Sequence, residues 1–579
     1  MDRSIKIGGE AGQGIQTLGD TLARVLARAG FHVFTHQDYD SRIRGGHNFY
    51  QIRFSEKEAA APRATVDIVV ALDPESISRH AQEFGRDGRL IYDASAFRQT
   101  YDNPSFLDVP FSALALEHGG SRIMANTAAV GAVLGMLGIG LDILTGIIGD
   151  TFARKGGEVI AANIRAASAG YDFAVKNCPG CSLAEAKTAS GGDAKMLITG
   201  TEAIGFGALS SGCSFYSAYP MTPSTGIMNY LAEKAVDCGI IVEQAEDEIA
   251  AINMALGASF AGARSMTGTA GGGFALMVEG LSLAGMTETP IVIALGQRPA
   301  PATGLPTRTE QADLDFALHA GHGEFPRLIF APGTPEQAFY LTNKAFDLAE
   351  KFQIPAIIMF DTFLADCACT YEKSALKKYG HTDYRLRGKE LSGMETYRRH
   401  AFTDTGVSPL AAPGDSAHPV VTDSDEHDED GHIAEDAATR VKMVNKRLLL
   451  KLPLIGKEIA PPFFYGHDEP EIVIAGWGSV YGVIKESVDR LMAGSKIAML
   501  HFSELWPFPS PDSSAYLDIL KKSRLSICVE NNATGQFARL IRRETGFVFN
   551  ARINRYDGRP FTLEELIRDL EAQTGELNA

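Results

Sequence analysis

Ser4-Ile5-Lys6-Ile7-Gly8-Gly9-Glu10-Ala11-Gly12-Gln13-Gly14 opens the chain with a short apolar strand that runs into a glycine-rich turn. A helix from about Ile15 to Ala29 follows, and after Gly30 a second strand, His32–His36. Val66–Leu72 and Arg89–Asp93 are further apolar strand candidates between helical stretches. Strand, glycine-rich turn, helix, strand predicts an α/β fold built on a parallel sheet. The pattern resumes at Met196 and yields strand candidates Phe215–Ser217, Ile240–Gln244, Ile291–Leu295, Arg327–Phe330 and Ala356–Phe360. A third run begins at Glu471 and includes Lys496–His501 and Leu525–Glu530. Between about Lys373 and Pro462 the periodicity collapses, and the acidic run Asp423–Asp430 reads there as a solvated excursion.

Composition narrows the function class. The chain has 579 residues with 54 Lys+Arg against 71 Asp+Glu, a net charge of −17 that argues against nucleic acid and anionic membrane surfaces as partners. The longest uncharged stretches, Thr127–Leu141 and Ile249–Ala263, fall short of the ~20 residues that span a bilayer. Both are rich in Gly and Ala, as in closely packed buried helices. With no signal-peptide pattern at the start, a soluble cytoplasmic protein is expected. Seven cysteines do not make a disulfide framework. Cys178-Pro179-Gly180-Cys181 has no second CxxC to complete a four-thiolate metal site, so it reads as a turn with reduced thiols.

Four segments carry the chemistry. The Gly8–Gly14 turn offers backbone N–H groups and a helix start to a phosphate, although its spacing is neither GxGxxG nor a P-loop. Close packing is the alternative. Arg42 and Arg44, beside Gly45-Gly46, suit a phosphorylated ligand, or else form surface ion pairs. In Tyr219-Pro220-Met221-Thr222-Pro223-Ser224-Thr225 two prolines fix the backbone around Thr222 at a strand end. A plain helix entry capped by Thr222, Ser224 or Thr225 would explain one hydroxyl but not the full string. Glu248 precedes the apolar helix and is expected to be the most buried of Glu243, Glu246, Asp247 and Glu248. A carboxylate so placed is a proton partner for a nitrogen heterocycle, unless it serves only the helix dipole. Arg298 and Arg308 lie in a Pro-rich loop, Gln297-Arg298-Pro299 to Gly304-Leu305-Pro306-Thr307-Arg308-Thr309-Glu310-Gln311, fit to clamp a carboxylate.

Together the Tyr219–Thr225 string, Glu248 and Gly304–Gln311 resemble the α subunit of 2-oxoacid:ferredoxin oxidoreductases. Gly8–Gly14 and Arg42–Gly46 resemble that family's γ domain, here fused ahead of α. Gly476–Ser479 and Glu530–Gln536 resemble its transketolase-C-like domain. The resemblance implies three α/β domains with an insertion: a Rossmann-like γ domain over 1–190 and a thiamine-diphosphate domain of the pyrimidine-binding type over 195–372. An insertion with the acidic run follows over 373–465, then a transketolase C-terminal-like domain over 466–579. It implies oxidative decarboxylation of a 2-oxoacid, with CoA as acyl acceptor and ferredoxin as electron acceptor.

By matched position, Glu248 is the glutamate that hydrogen-bonds the aminopyrimidine ring, with Tyr219 and Pro220 beside the cofactor. Thr222 is the substrate-contacting threonine, and Arg308, with Arg298 competing, binds the 2-oxoacid carboxylate. Gly12, Gln13, Gly14, Arg42 and Arg44 are the candidates for CoA. A GDG motif for Mg²⁺ and diphosphate is missing: Gly149-Asp150-Thr151 reads as helix. The resemblance therefore implies a β subunit that holds the diphosphate, Mg²⁺ and a [4Fe–4S] cluster, in a dimer of αβ heterodimers. The fused γ–α arrangement looks most like 2-oxoglutarate members, with pyruvate or broad-range 2-oxoacids as alternatives. A non-enzymatic CoA- or nucleotide-binding scaffold has no need of Glu248.

Overall fold

The computed structural model describes residues 1–42, 45–178, 195–372, 380–511 and 515–575. The chain divides into two compact units: 1–198 with 367–377 and 562–565, and the remainder.

The first unit is built on an eight-stranded sheet in the order Phe106–Asp108, Phe84–Tyr92, Val66–Ala71, Asp2–Ala11, Gly45–Ser55, His32–Asp38, Ala368–Glu372, Lys195–Thr199. The α/β class holds, but the all-parallel expectation does not. Gly45–Ser55, not identified in the sequence, runs antiparallel to both Asp2–Ala11 and His32–Asp38. Its short connection from His32–Asp38 makes an antiparallel hairpin where a parallel crossover would need a dozen or more residues. Asp2–Ala11 also outruns its expected end. Gly8 and Gly9 are strand residues opposite Phe49 and Asn48. A Cβ on Gly8 would stand 2.7 Å from Ser76 Oγ, and one on Gly9 2.5 Å from Gln13 Oε1.

Ile15–Arg28 is amphipathic and buries Ile15, Leu18, Leu22, Val25 and Leu26. The uncharged Thr127–Leu141 stretch is mostly the helix Ala125–Leu137, packed against Gly157–Asn177 as its small residues suggest. A Cβ on Gly131 would lie 1.9 Å from the Ala167 carbonyl, and one on Gly170 2.0 Å from that of Ala128. No helix among the described residues is long and apolar enough to cross a membrane. Cys178, expected reduced, is disulfide-bonded; the rest of that motif lies outside the described residues.

In the second unit a seven-stranded sheet has the order Glu504–Trp506, Leu328–Phe330, Pro355–Asp361, Ile291–Gln297, Arg264–Ala270, Cys213–Ala218, Ile241–Gln244. All its pairings are parallel except that of Glu504–Trp506. The central strand Arg264–Ala270 was not read from the sequence, because its Thr267-Gly268-Thr269 lacks the apolar run of its neighbours. A five-stranded sheet, Phe463–Gly466, Ile497–Phe502, Ile472–Trp477, Leu525–Glu530 and Ala551–Asn554, completes the unit.

The segment that lost periodicity is anchored by charge. Glu288, fully buried, accepts from Lys446, Lys451 and His400. The two lysines and the histidine hold its carboxyl well below the usual range against the cost of burial. Within the acidic run, Glu426 takes Arg447 at 2.7 Å and Arg440 at 2.6 Å, and Glu429 takes Arg398 at 3.0 Å. His427 is fully buried and its ring lies against that of His400, centroids 4.0 Å apart and tilted by 51°. The run is therefore not a solvated excursion. Asp425 and Asp430 face solvent, while Glu426 and Glu429 pin the insertion by pairing with cations brought from elsewhere in it.

Candidate functional site

Three neighbouring parallel strands, Cys213–Ala218, Arg264–Ala270 and Ile291–Gln297, end side by side. In open α/β sheets ligands bind outside such carboxyl ends. Beyond them stand the Tyr219–Thr225 turn, the helix start Gly271-Gly272-Gly273, and Arg298.

Asp247 caps the helix Glu248–Phe260, its Oδ1 accepting from the Ala250 N–H at 2.8 Å. Glu248 is thereby spared capping and turns inward, with 3% of its surface exposed. Its Oε1 is buried without a hydrogen-bond partner. A buried carboxylate oxygen left so is costly unless a ligand donor meets it. Gly273 leaves it room, since a Cβ there would stand 2.4 Å from Oε1 and 2.1 Å from Thr269 Oγ1. Thr267 Oγ1 and Tyr216 Oη, on the adjoining strands, are likewise buried and unpartnered.

Thr222 is half-buried before a cis peptide to Pro223. Ser224 folds back, with Oγ donating to the Met221 carbonyl at 2.8 Å. The following helix Thr225–Cys238 has no side-chain cap at Ser224, so the string is not a helix entry of the ordinary kind. Tyr219 is 41% exposed, and Pro220 half-buried. Arg298 Nη1 donates to the Thr222 carbonyl at 2.8 Å. Burial lowers the Arg298 pKa while Asp313 opposes the shift, and burial pushes Asp313 up to about 6 against the pull of Arg298. Asp313 N–H donates to Gln297 Oε1 at 3.3 Å, and its carboxylate would lie 2.7 Å from a Cβ on Gly271. Arg308 sits farther along the loop against Gly558, whose carbonyl accepts from the Thr309 N–H at 3.2 Å. The structure thus brings Arg298, rather than Arg308, onto Thr222.

Sequence reasoning flagged Glu530–Gln536 only as a resemblance; it is the clamp on the arginine loop. Gln311 Nε2 donates to the Trp477 carbonyl at 2.9 Å, and Gln311 Oε1 accepts from Asn531 N–H at 3.0 Å. Asn532 Nδ2 donates to the Gln311 carbonyl at 3.2 Å, and Gln536 Nε2 to that of Ala312 at 2.7 Å. Glu530 holds the clamp together, accepting from Trp477 Nε1, Asn532 Nδ2 and the Phe537 and Ala538 N–H groups.

In the first unit, Gly12 (φ +95°) and Gly14 (φ +77°) adopt left-handed backbone, and Gly14 precedes the helix Ile15–Arg28. The space where a Gly12 Cβ would stand is open, which suits close approach of a ligand. Gln13 is occupied with the loop itself: Oε1 accepts from Glu10 N–H at 2.8 Å and Nε2 donates to Leu72 O at 3.3 Å. Arg42 is exposed, and Arg44 lies outside the described residues. Gly149-Asp150-Thr151 is helical, with Asp150 facing Arg28 at 3.3 Å.

The chain is 32% identical to a 2-oxoacid:ferredoxin oxidoreductase subunit alpha from a Sulfolobus species, over 98% of this chain and 96% of that one. It belongs to the 2-oxoacid:ferredoxin oxidoreductase family, as an alpha subunit. A family model described as pyruvate flavodoxin/ferredoxin oxidoreductase, thiamine diphosphate-binding, matches residues 206–446. Another, pyruvate ferredoxin/flavodoxin oxidoreductase, matches 4–173. A 2-oxoglutarate synthase subunit KorA of Archaeoglobus fulgidus is 34% identical over 60% of this chain and 90% of its own. The solved 2-oxoglutarate:ferredoxin oxidoreductase from Magnetococcus marinus, with 2-oxoglutarate, coenzyme A and succinyl-CoA bound, superposes with a TM-score of 0.88 at 31% identity, covering 99% of each chain. The thiamine-diphosphate-binding match contains Tyr219–Thr225, Glu248, Arg298 and Arg308.

Proposed function

We propose that this alpha subunit supplies the aminopyrimidine side of a thiamine-diphosphate site and acts on 2-oxoglutarate. The reaction consumes 2-oxoglutarate, CoA and two oxidised ferredoxins, and yields succinyl-CoA, CO₂, one proton and two ferredoxins each reduced by one electron. The observation that carries the reading is the buried, unpartnered Glu248 Oε1. It fits a ring nitrogen or amino group that donates to it, and the missing side chain at Gly273 lets the carboxylate lie against that helix start.

The cofactor, when bound, supplies the carbanion-stabilising chemistry of decarboxylation. Glu248 hydrogen-bonds the pyrimidine ring and governs the proton at that atom. Thr222, held by Arg298, presents its hydroxyl to the 2-oxoacid. The two carboxylates of 2-oxoglutarate call for two cationic contacts, which Arg298 and Arg308 offer from one loop. Gly12, Gly14 and Arg42, with Arg44, are the CoA-binding candidates.

No diphosphate motif accompanies this half-site. A β subunit therefore carries the diphosphate, Mg²⁺ and a [4Fe–4S] cluster, in a dimer of αβ heterodimers. Ile249 (51% exposed), Leu276 (50%) and Leu305 (50%), apolar and uncovered around the site, support such a partner. The setting is cytoplasmic. Co-expression with the β subunit, followed by acceptor reduction with a panel of 2-oxoacids, tests the reading. Preference for 2-oxoglutarate supports it. Equal use of pyruvate and longer 2-oxoacids replaces it by a broad-range activity, which the Sulfolobus relative's name favours.

A further inference from the structure

The helix Gln536–Thr545 and the segment leading into strand Ala551–Asn554 enclose a groove of about 340 Å³. Its lining combines three guanidinium groups, Arg539, Arg542 and Arg552, with Val548, Phe549 and Asn550. Arg539 and Arg542 stand three residues apart, on one face of the helix. Arg552 enters from the strand, so cations reach the groove from two sides. Among the described residues Arg539 pairs with Asp315, whereas no carboxylate lies within ion-pair distance of Arg542 or Arg552. This cluster belongs to a chain of net charge −17, in which two exposed arginines without an ion pair at a concave surface stand apart.

The remaining lining is not that of a bare anion site. Val548 is 60% exposed, and Phe549 is oriented by an edge-to-face contact with Phe547 at 5.2 Å. Asn550 spends Oδ1 on the N–H and hydroxyl of Ser526, both at 2.8 Å, which fixes the amide and leaves Nδ2 to donate. The volume lies within the range of small-molecule pockets and far exceeds the ~30 Å³ of a water, so inorganic phosphate alone would leave the apolar wall uncovered.

We infer that this groove binds a nucleotide bearing two or more phosphates: arginine forks take the phosphates, Phe549 and Val548 the base, and Asn550 Nδ2 an acceptor on base or sugar. The argument is independent of the thiamine-diphosphate reading. A free nucleoside diphosphate and the phosphorylated adenosine end of CoA share this chemistry.

Calorimetry with ADP on the full chain co-purified with its β subunit tests it. ADP is expected to bind, with adenosine and pyrophosphate each at least tenfold weaker. Arg542→Ala and Arg552→Ala should each weaken ADP about tenfold or more. Arg542→Lys should recover only part of the loss, because an ammonium lacks the fork. Arg543→Ala is the control, since Arg543 pairs with Glu544 and lies over the Trp506 ring. Titration in the presence of CoA separates the two sources. Displacement of ADP by CoA assigns the groove to CoA's nucleotide end, and its absence to a separate nucleotide. No ADP binding, or binding unchanged in both alanine variants while the thermal transition is intact, overturns the proposal.

Discussion

Arg298 Nη1 reaches the backbone carbonyl of Thr222 across 76 residues of chain, at 2.8 Å. That bond ties the arginine loop to the Thr222 turn, and under the proposed function it couples carboxylate binding to the position of the threonine hydroxyl. Arg298→Ala should raise the 2-oxoacid KM and lower kcat together, through loss of a charge-assisted contact of about 1.5–3 kcal/mol. Arg308→Ala should raise KM alone. Steady-state kinetics on the αβ enzyme decide, and an unchanged kcat in Arg298→Ala would sink the coupling.

Glu248→Gln retains the shape packed against Gly273 while removing the carboxylate. Hydrogen–deuterium exchange at thiamine C2 should slow by orders of magnitude with the cofactor still bound. Exchange at the wild-type rate would remove Glu248 from the site's chemistry.

Gln311→Ala tests the clamp. It strands the Trp477 carbonyl and the Asn531 N–H, each worth about 1 kcal/mol when paired. The loop from Pro299 to Gln311 should become cleavable by protease in the native protein, and KM should rise without global unfolding. Resistance equal to wild type would show that Asn532 and Gln536 hold the loop by themselves.

His400 makes the insertion acid-sensitive. Burial holds its pKa at about 3, against 6.5 for a free imidazole. The unfolded chain takes a proton as pH falls below about 6.5 and the fold does not. Stability present above pH 6.5 is therefore lost progressively toward pH 3, by up to about tenfold in the folding equilibrium per pH unit. Urea midpoints between pH 7 and 4.5 should fall less steeply in His400→Gln than in wild type.

Glu426→Ala leaves the nearly buried Arg447 without its bidentate partner, which costs about 3 kcal/mol by analogy with broken buried pairs. Calorimetric melting should register the loss. A melting profile matching wild type would return the acidic run to the role of a solvated excursion.

By itself the sequence determined the α/β class, the buried small-residue helices, and the placement of Glu248 at a helix start. Those follow from local chemistry: apolar runs, glycine spacing and the carboxylates before Ile249 act on their own neighbourhoods. Only the tertiary structure decided the antiparallel partner Gly45–Ser55, the central strand through Thr267, and the arginine that meets Thr222. It also decided the fate of the acidic run, because Glu426 and Glu429 are spent on arginines that the chain's periodicity gives no reason to bring near. Strand pairing and buried ion pairs join residues tens to hundreds of positions apart, and their energy exists only once the fold has excluded water from between them.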